Sequence, residues 1–300
     1  MAMLNKRKDK LFYFLLYLFF ALVCACFIIP LLVVISASFT SENELLSDGF
    51  SLFPKEFTTA AYQSAFKNSE KMICAYLVTI AESFGGTFLT CVVCGMIGYA
   101  LSRSSFRFKK PITWVVMFTM LFSAGMIPTY IVYSKYYHIS NSFWIYILPG
   151  ITGGAWNTMV FRTFFRTLPE SLFESARLDG ANELTIFFKI VIPLSTPVFA
   201  SLGFMMLVGK WNDYTTSMIY IRNENLYTLQ YLLQKIMSES EFLKSMAQAG
   251  MVGISLDAFS RPSETLKFAM CIIAAGPMLV IFPFFQKYFS QGLTIGAVKG

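Results

Sequence analysis

The sequence predicts an all-α, polytopic membrane protein with about six transmembrane helices, on three observations. Of its 300 residues, 56% are hydrophobic and only 14% charged, too apolar a mixture for a surface that must face water. Residues 11–35 contain no Asp, Glu, Lys or Arg, and they exceed the roughly 20 residues that cross a hydrocarbon core. Five more apolar stretches follow, separated by polar loops.

The first span is 11–35. Lys6, Arg7, Lys8 and Lys10 before it would also suit a signal peptide, but the apolar run is too long for one and lacks a small-x-small cleavage site. The remaining spans are expected near 74–101, 112–133, 143–161, 191–221 and 266–289. Backbone polar groups in lipid must be satisfied within the segment, so these are helices, in which Pro128, Pro277 and Pro283 should mark kinks. Residues 1–300 then form one membrane domain.

Cys24, Cys26, Cys74, Cys91, Cys94 and Cys271 fall nearly all inside apolar stretches, which implies no disulfide framework. Cys91 and Cys94 are spaced as a CxxC, yet at membrane depth and without histidines they read as small packing residues. His138 is the only histidine and has no companion ligand nearby, so no metal site is expected.

Lys and Arg set the orientation. The loops on the N-terminal side carry fourteen (Lys6, Arg7, Lys8, Lys10, Arg103, Arg107, Lys109, Lys110, Arg162, Arg166, Arg177, Lys189, Lys287 and Lys299), and the opposite loops carry eight over a longer stretch. Both termini are therefore expected in the cytoplasm, with 36–73 and 222–265 outside and 162–190 inside. The net charge of +7 is accounted for by this asymmetry and by contact with anionic lipid, and gives no case for nucleic-acid binding.

The inner loop 167–190 has its own local order. Thr167 and Glu170 stand at capping-box spacing and Pro169 suits a first helical turn. Gly180 fits a left-handed C-terminal cap, and Asn182 can start a second short helix leading to Pro193 and Pro197. The first helix aligns Leu172, Ser175, Ala176 and Asp179, a face of small side chains that would let a partner approach. By these signals alone, a docking element and a plain polar connector are equally good readings.

A resemblance separates them. Glu174-Ser175-Ala176-Arg177-Leu178-Asp179-Gly180-Ala181, followed by Ile190, Pro193 and Pro197, resembles the EAA loop of ABC-importer permeases; Ser175 replaces the usual Ala and is equally small. Ile29-Pro30 with Ser36-Ala37-Ser38, Leu52-Phe53-Pro54, Ile127-Pro128-Thr129-Tyr130, Trp211-Asn212-Asp213-Tyr214 and the terminal Gly296-Ala297-Val298-Lys299-Gly300 are similar to carbohydrate permeases of the maltose-transporter type, near the bacterial lipoprotein and oligosaccharide permeases.

The resemblance implies a bacterial plasma-membrane subunit that forms half of a translocation pathway. Its ATPase-coupling residues would be Glu174, Ser175, Ala176, Asp179, Gly180, Ala181 and Pro193. It implies a second related permease, two copies of a cytoplasmic ATPase and an extracellular solute-binding lipoprotein. The chain has no GxxxxGK[ST] loop, so ATP and magnesium belong to that ATPase, and this chain is expected to carry no catalytic residue, cofactor or metal.

Charges inside spans need water, a partner or a function. Lys210 and Asp213 are spaced to pair on one helix face; alternatively Trp211, Asn212 and Asp213 line the pathway, with Trp stacking on a sugar ring and the polar pair bonding its hydroxyls. Glu82 is either a buried interhelical hydrogen-bond partner or a further pathway contact. Tyr130, Tyr133, Tyr136, Tyr137, Trp144 and Tyr146 are expected to form an aromatic belt. A secondary transporter would show internal repeats, and a membrane enzyme would show converging acid, base or metal residues; neither pattern is visible here.

Overall fold

The computed structural model describes residues 6–67, 69–152, 154–248 and 264–292, and its regular structure is helical, with one isolated bridge between Thr40 and Phe57. The terminal 296–300 motif, Lys299 and Arg261 lie outside the described residues. The chain divides into two compact units: Met1–Asn68 with Lys235–Gly276, and Ser69–Gln234 with Pro277–Gly300.

By length and apolarity, three helices can cross a membrane: Phe12–Ser38, Glu70–Ser102 and Glu264–Gln286. They coincide with the first, second and last expected spans. Pro277 and Pro283 lie inside the continuous helix Glu264–Gly292. Two further spans are broken pairs, bent by 115° between Lys109–Leu121 and Met126–Tyr136 and by 84° between Glu183–Leu194 and Thr196–Trp211. Pro128 therefore sits in the first turn of a new helix, where its missing N–H costs nothing, and does not kink a continuous one. The stretch 143–161 is divided into Trp144–Thr152 and Ala155–Phe165, each too short to span alone. The expected fifth span ends at Trp211, before a separate helix Thr215–Tyr220.

In the first unit, the helix Lys6–Ser38 is apolar all round from Phe12 to Ile35, and the chain buries none of those residues. The polar stretch after it is organised by two carboxylates. Glu44 accepts from the backbone N–H groups of Lys55 and Glu56 at 2.8 and 2.9 Å, while Phe39 stacks on both Phe57 and Tyr62. Glu42 accepts from Glu264 N, Thr265 N and Thr265 Oγ1, each at 3.0 Å. It thereby satisfies the orphan donors that open the helix Glu264–Gly292.

In the second unit, the helices Thr87–Ser102 and Ala155–Phe165 pack tightly because small residues line the seam. A Cβ on Gly98 would lie 2.8 Å from Phe161 Cβ and 3.0 Å from the Thr158 carbonyl oxygen, so only glycine permits the approach. Cys94 is buried beside it and donates to the Gly154 carbonyl at 3.5 Å. All six thiols are free, and the buried Cys91 and Cys94 serve as small packing residues.

Candidate functional site

The loop expected to act as a docking element is two short helices joined by a tight turn. The first, Glu170–Leu178, ends in a Schellman motif: Gly180 N–H donates to Arg177 C=O at 3.0 Å and Ala181 N–H to Ala176 C=O at 2.9 Å. Gly180 has φ +79°, a left-handed conformation that side chains rarely adopt. Asn182 then caps the second helix, its Oδ1 accepting from Thr185 N at 2.8 Å. The expected capping box does not form. Pro169 is the N-cap residue, while Thr167 Oγ1 donates backwards to Phe164 C=O at 2.7 Å, closing the previous helix. That frees Glu170 for other partners.

Those partners tie the loop to the end of the second span. Arg103 is only 4% exposed. It donates to Glu170 at 3.0 Å and to the Phe165 carbonyl at 2.7 Å, and its guanidinium lies 4.1 Å from the centre of the Phe173 ring. Tyr99 Oη donates to Glu183 at 2.7 Å, and Arg177 Nε donates to the other Glu183 oxygen at 2.9 Å. Beneath the polar clamp, Phe173, Ala176, Ile186 and Phe187 pack with Tyr99, Phe161, Phe165 and Val198 in one buried cluster. Any displacement of the helix Glu170–Leu178 must therefore move the spans it is packed against.

The free face of that helix differs from the expected one in one respect. Ser171, Leu172, Glu174, Ser175 and Asp179 are exposed, and Leu178 is 89% exposed. Ala176, expected to face a partner, instead points into the chain's own core. Its small side chain is needed there because the helix lies flat on aromatic residues. Ala181 is half-buried against the same cluster. Pro193 lies in the turn Ile192–Leu194, next to the 84° bend. Tyr99, Arg103 and Glu183 were not singled out as site residues from sequence, and Arg177 entered only as a loop charge and a position within the EAA-like motif; nothing in a linear pattern shows an arginine to be buried.

A second cluster of polar groups lies at membrane depth. Lys210 and Asp213 do not pair. The helix ends at Trp211, so Lys210 Nζ donates to the Tyr146 carbonyl at 2.7 Å, while Asp213 accepts from Thr215 N, Thr215 Oγ1, Thr216 N and Thr216 Oγ1 at 2.5 to 3.2 Å. Trp211 is 1% exposed and is core, unavailable for stacking on a ligand. Three consecutive residues at a helix end point in different directions, so Asn212 also diverges. It is exposed, donates to the Val208 carbonyl and accepts from Gln230 at 3.3 Å. Glu82 is 1% exposed, on the π-helical turn Ala81–Gly86, and borders a cavity of about 210 Å³ together with Lys210, Asp213, Tyr133 and Tyr220. Tyr146 borders it too. It was expected in the aromatic belt, but it is buried, with its hydroxyl bonded to Ser217 and to the Leu226 carbonyl. Tyr136, Tyr137 and Trp144 are exposed as a belt requires. Among the described residues no His, Cys, Asp and Glu cluster could hold a metal ion.

Known proteins share this sequence and fold. Residues 1–295 match the family described as binding-protein-dependent transport system inner membrane component. The chain is 36% identical over 297 residues to the polygalacturonan/rhamnogalacturonan transport system permease protein YtcP of Bacillus subtilis, covering 98% of this chain and all of that one. It is 33% identical to Protein LplC of the same organism over 299 residues, covering 100% of this chain and 98% of the relative. It is 28% identical to the maltodextrin transport system permease protein MalD of Streptococcus pneumoniae, with 98% of each chain covered. The crystal structure of a bacterial ABC transporter involved in the import of the acidic polysaccharide alginate superimposes with a TM-score of 0.79 at 25% identity, over 96% of this chain and 100% of that one. The chain belongs to the binding-protein-dependent transport system inner membrane components, as a permease subunit of an ABC transporter.

Proposed function

We propose that this chain forms half of the translocation pathway of a carbohydrate importer and takes its mechanical input through the helix Glu170–Leu178. The observation that carries the reading is the combination of an exposed face, with Leu178 at 89% exposure, and a clamped back, where Glu170 and Glu183 are held by Arg103, Arg177 and Tyr99. A helix held this way transmits a push; a loose connector would absorb it. Glu174, Ser175, Leu178 and Asp179 meet the ATPase, whereas Ala176, Gly180, Ala181 and Pro193 shape the element. The orientation is N- and C-termini cytoplasmic, with six crossings of which the fourth is built from Trp144–Thr152 and Ala155–Phe165.

The partners follow from this role. Two ATPase copies bind ATP and magnesium, a second permease closes the pathway, and an extracellular lipoprotein delivers solute. The names of the relatives, which include polygalacturonan/rhamnogalacturonan and maltodextrin, support a carbohydrate cargo. Within the membrane Glu82 and Asp213 keep a pathway role. In cells expressing the whole transporter, Gly180→Val forces a β-branched residue into φ +79° and costs on the order of 1 to 3 kcal/mol locally. Normal insertion with ATPase association and uptake both lost is the expected result. Full association with normal uptake would rule out the loop as the coupling element.

A further inference from the structure

We propose that the cavity beside Glu82 is a subsite for one neutral, hydroxyl-rich sugar ring of the passing substrate, and that it disfavours a ring bearing a carboxylate. The proposal rests on the carbohydrate-permease reading above and names what part of the substrate this half of the pathway holds. The cavity is about 210 Å³, below the ~300 to 1,000 Å³ of pockets that enclose drug-sized ligands, so it admits one ring and no oligosaccharide. Two half-buried tyrosines, Tyr133 and Tyr220, border it; a flat apolar tyrosine face suits the C–H face of a sugar. Glu82 is buried to 1% exposure, and its Oε2 has no hydrogen-bond partner. A buried carboxylate oxygen without a donor is costly unless something supplies one, and a sugar hydroxyl does so.

The charge balance decides which sugar. Asp213, the second carboxylate at the cavity, accepts four hydrogen bonds from Thr215 and Thr216. Lys210 is the one cation among the described residues bordering the cavity, and one of its three N–H donors goes to the Tyr146 carbonyl. The three groups therefore sum to −1 with Glu82 ionised and to zero with it protonated. In neither state is the site positive, so a uronate carboxylate meets like charge or no charge, and like-charge contact is penalised. Gly86 and Gly150 hold Lys210 in place. A Cβ on Gly86 would lie 2.9 Å from Lys210 Nζ, and one on Gly150 3.4 Å from it and 3.2 Å from Thr90 Oγ1.

The test uses the complete permease–ATPase complex in nanodiscs without the binding protein, and measures equilibrium binding of radiolabelled methyl galactopyranoside and methyl galacturonide. Saturable binding of the galactoside is expected, with the galacturonide about tenfold weaker or worse. Glu82→Gln should weaken galactoside binding and shrink the preference, a change in selectivity that a merely structural residue would not produce. Gly150→Ala should weaken both probes by crowding Lys210 without altering the charges, and it keeps the idea testable if Glu82→Gln fails to assemble. An intact complex that binds neither probe, binds the galacturonide equally well, or keeps its selectivity in Glu82→Gln overturns the subsite while leaving the permease reading standing. Failure of the ATPase to co-purify with the wild-type chain would overturn both.

Discussion

Arg103 brings a full charge into a pocket walled by Phe173 and Tyr99 and is compensated there by Glu170, the Phe165 carbonyl and the two rings. Removing it leaves that carbonyl only the long 3.4 Å bond from Leu168 N–H. Arg103→Ala should cost on the order of 2 to 3 kcal/mol, less than the roughly 3 to 5 kcal/mol of a fully buried pair because Glu170 is half-exposed. Arg103→Lys should recover only part of this, since an ammonium cannot reach both acceptors as a planar fork does. Thermal unfolding of the detergent-purified chain would rank the three proteins, and equal midpoints would remove the clamp from the account. Glu183 adds a second hold on the loop, since Tyr99 and Arg177 both donate to its carboxylate. Glu183→Gln should therefore accelerate proteolysis within the loop; an unchanged rate would mean that Tyr99 and Arg177 do not hold the loop through this carboxylate. At this scale sequence showed local chemistry and missed long-range contacts. Gly180 and Asn182 were legible because a left-handed cap and an Asx cap are decided within a few residues. The inward turn of Ala176 and the burial of Trp211 depend on partners far along the chain.

Among the helices, legibility followed apolarity and failed at breaks. The three unbroken spans could be read off uninterrupted hydrophobic runs, whereas the 115° and 84° bends occur inside stretches of even hydropathy, where only the local backbone marks the change. The π-helical turn Ala81–Gly86 likewise leaves no signature in the pattern, yet it sets the bearing of Glu82. The seam between Thr87–Ser102 and Ala155–Phe165 gives this scale its prediction. Gly98→Leu would thrust a side chain into Phe161 and the Thr158–Arg162 backbone, costing about 1 to 3 kcal/mol by overpacking and loosening the loop packed on the same cluster. A lowered melting temperature with faster loop proteolysis is expected; unchanged values of both would show that the two helices need not approach so closely. By the same packing, Ala176→Trp should lower stability before it affects any partner.

At the scale of the molecule, a clamped helix, a set of apolar helices packed against it and a polar cavity among them are what the proposed coupling of an ATPase to a substrate path requires. The all-α class and the family were legible from composition and from the loop motif. The electrostatic clamp and the cavity were not, because the clamp joins residues 62 to 84 positions apart and the cavity is lined by residues from Glu82 to Tyr220. The orientation is checked by single cysteines at Ser47 and Thr167 in a cysteine-free chain: an impermeant thiol reagent on intact cells should label the first only, and labelling of the second would invert the topology. The most direct test of the central claim is site-specific photocrosslinking from position 178 in the assembled transporter. The account predicts an adduct between this chain and the ATPase, because Leu178 is the most exposed large hydrophobic side chain of the helix Glu170–Leu178. An assembled, transport-active complex in which a crosslinker at position 178 captures no ATPase would contradict it.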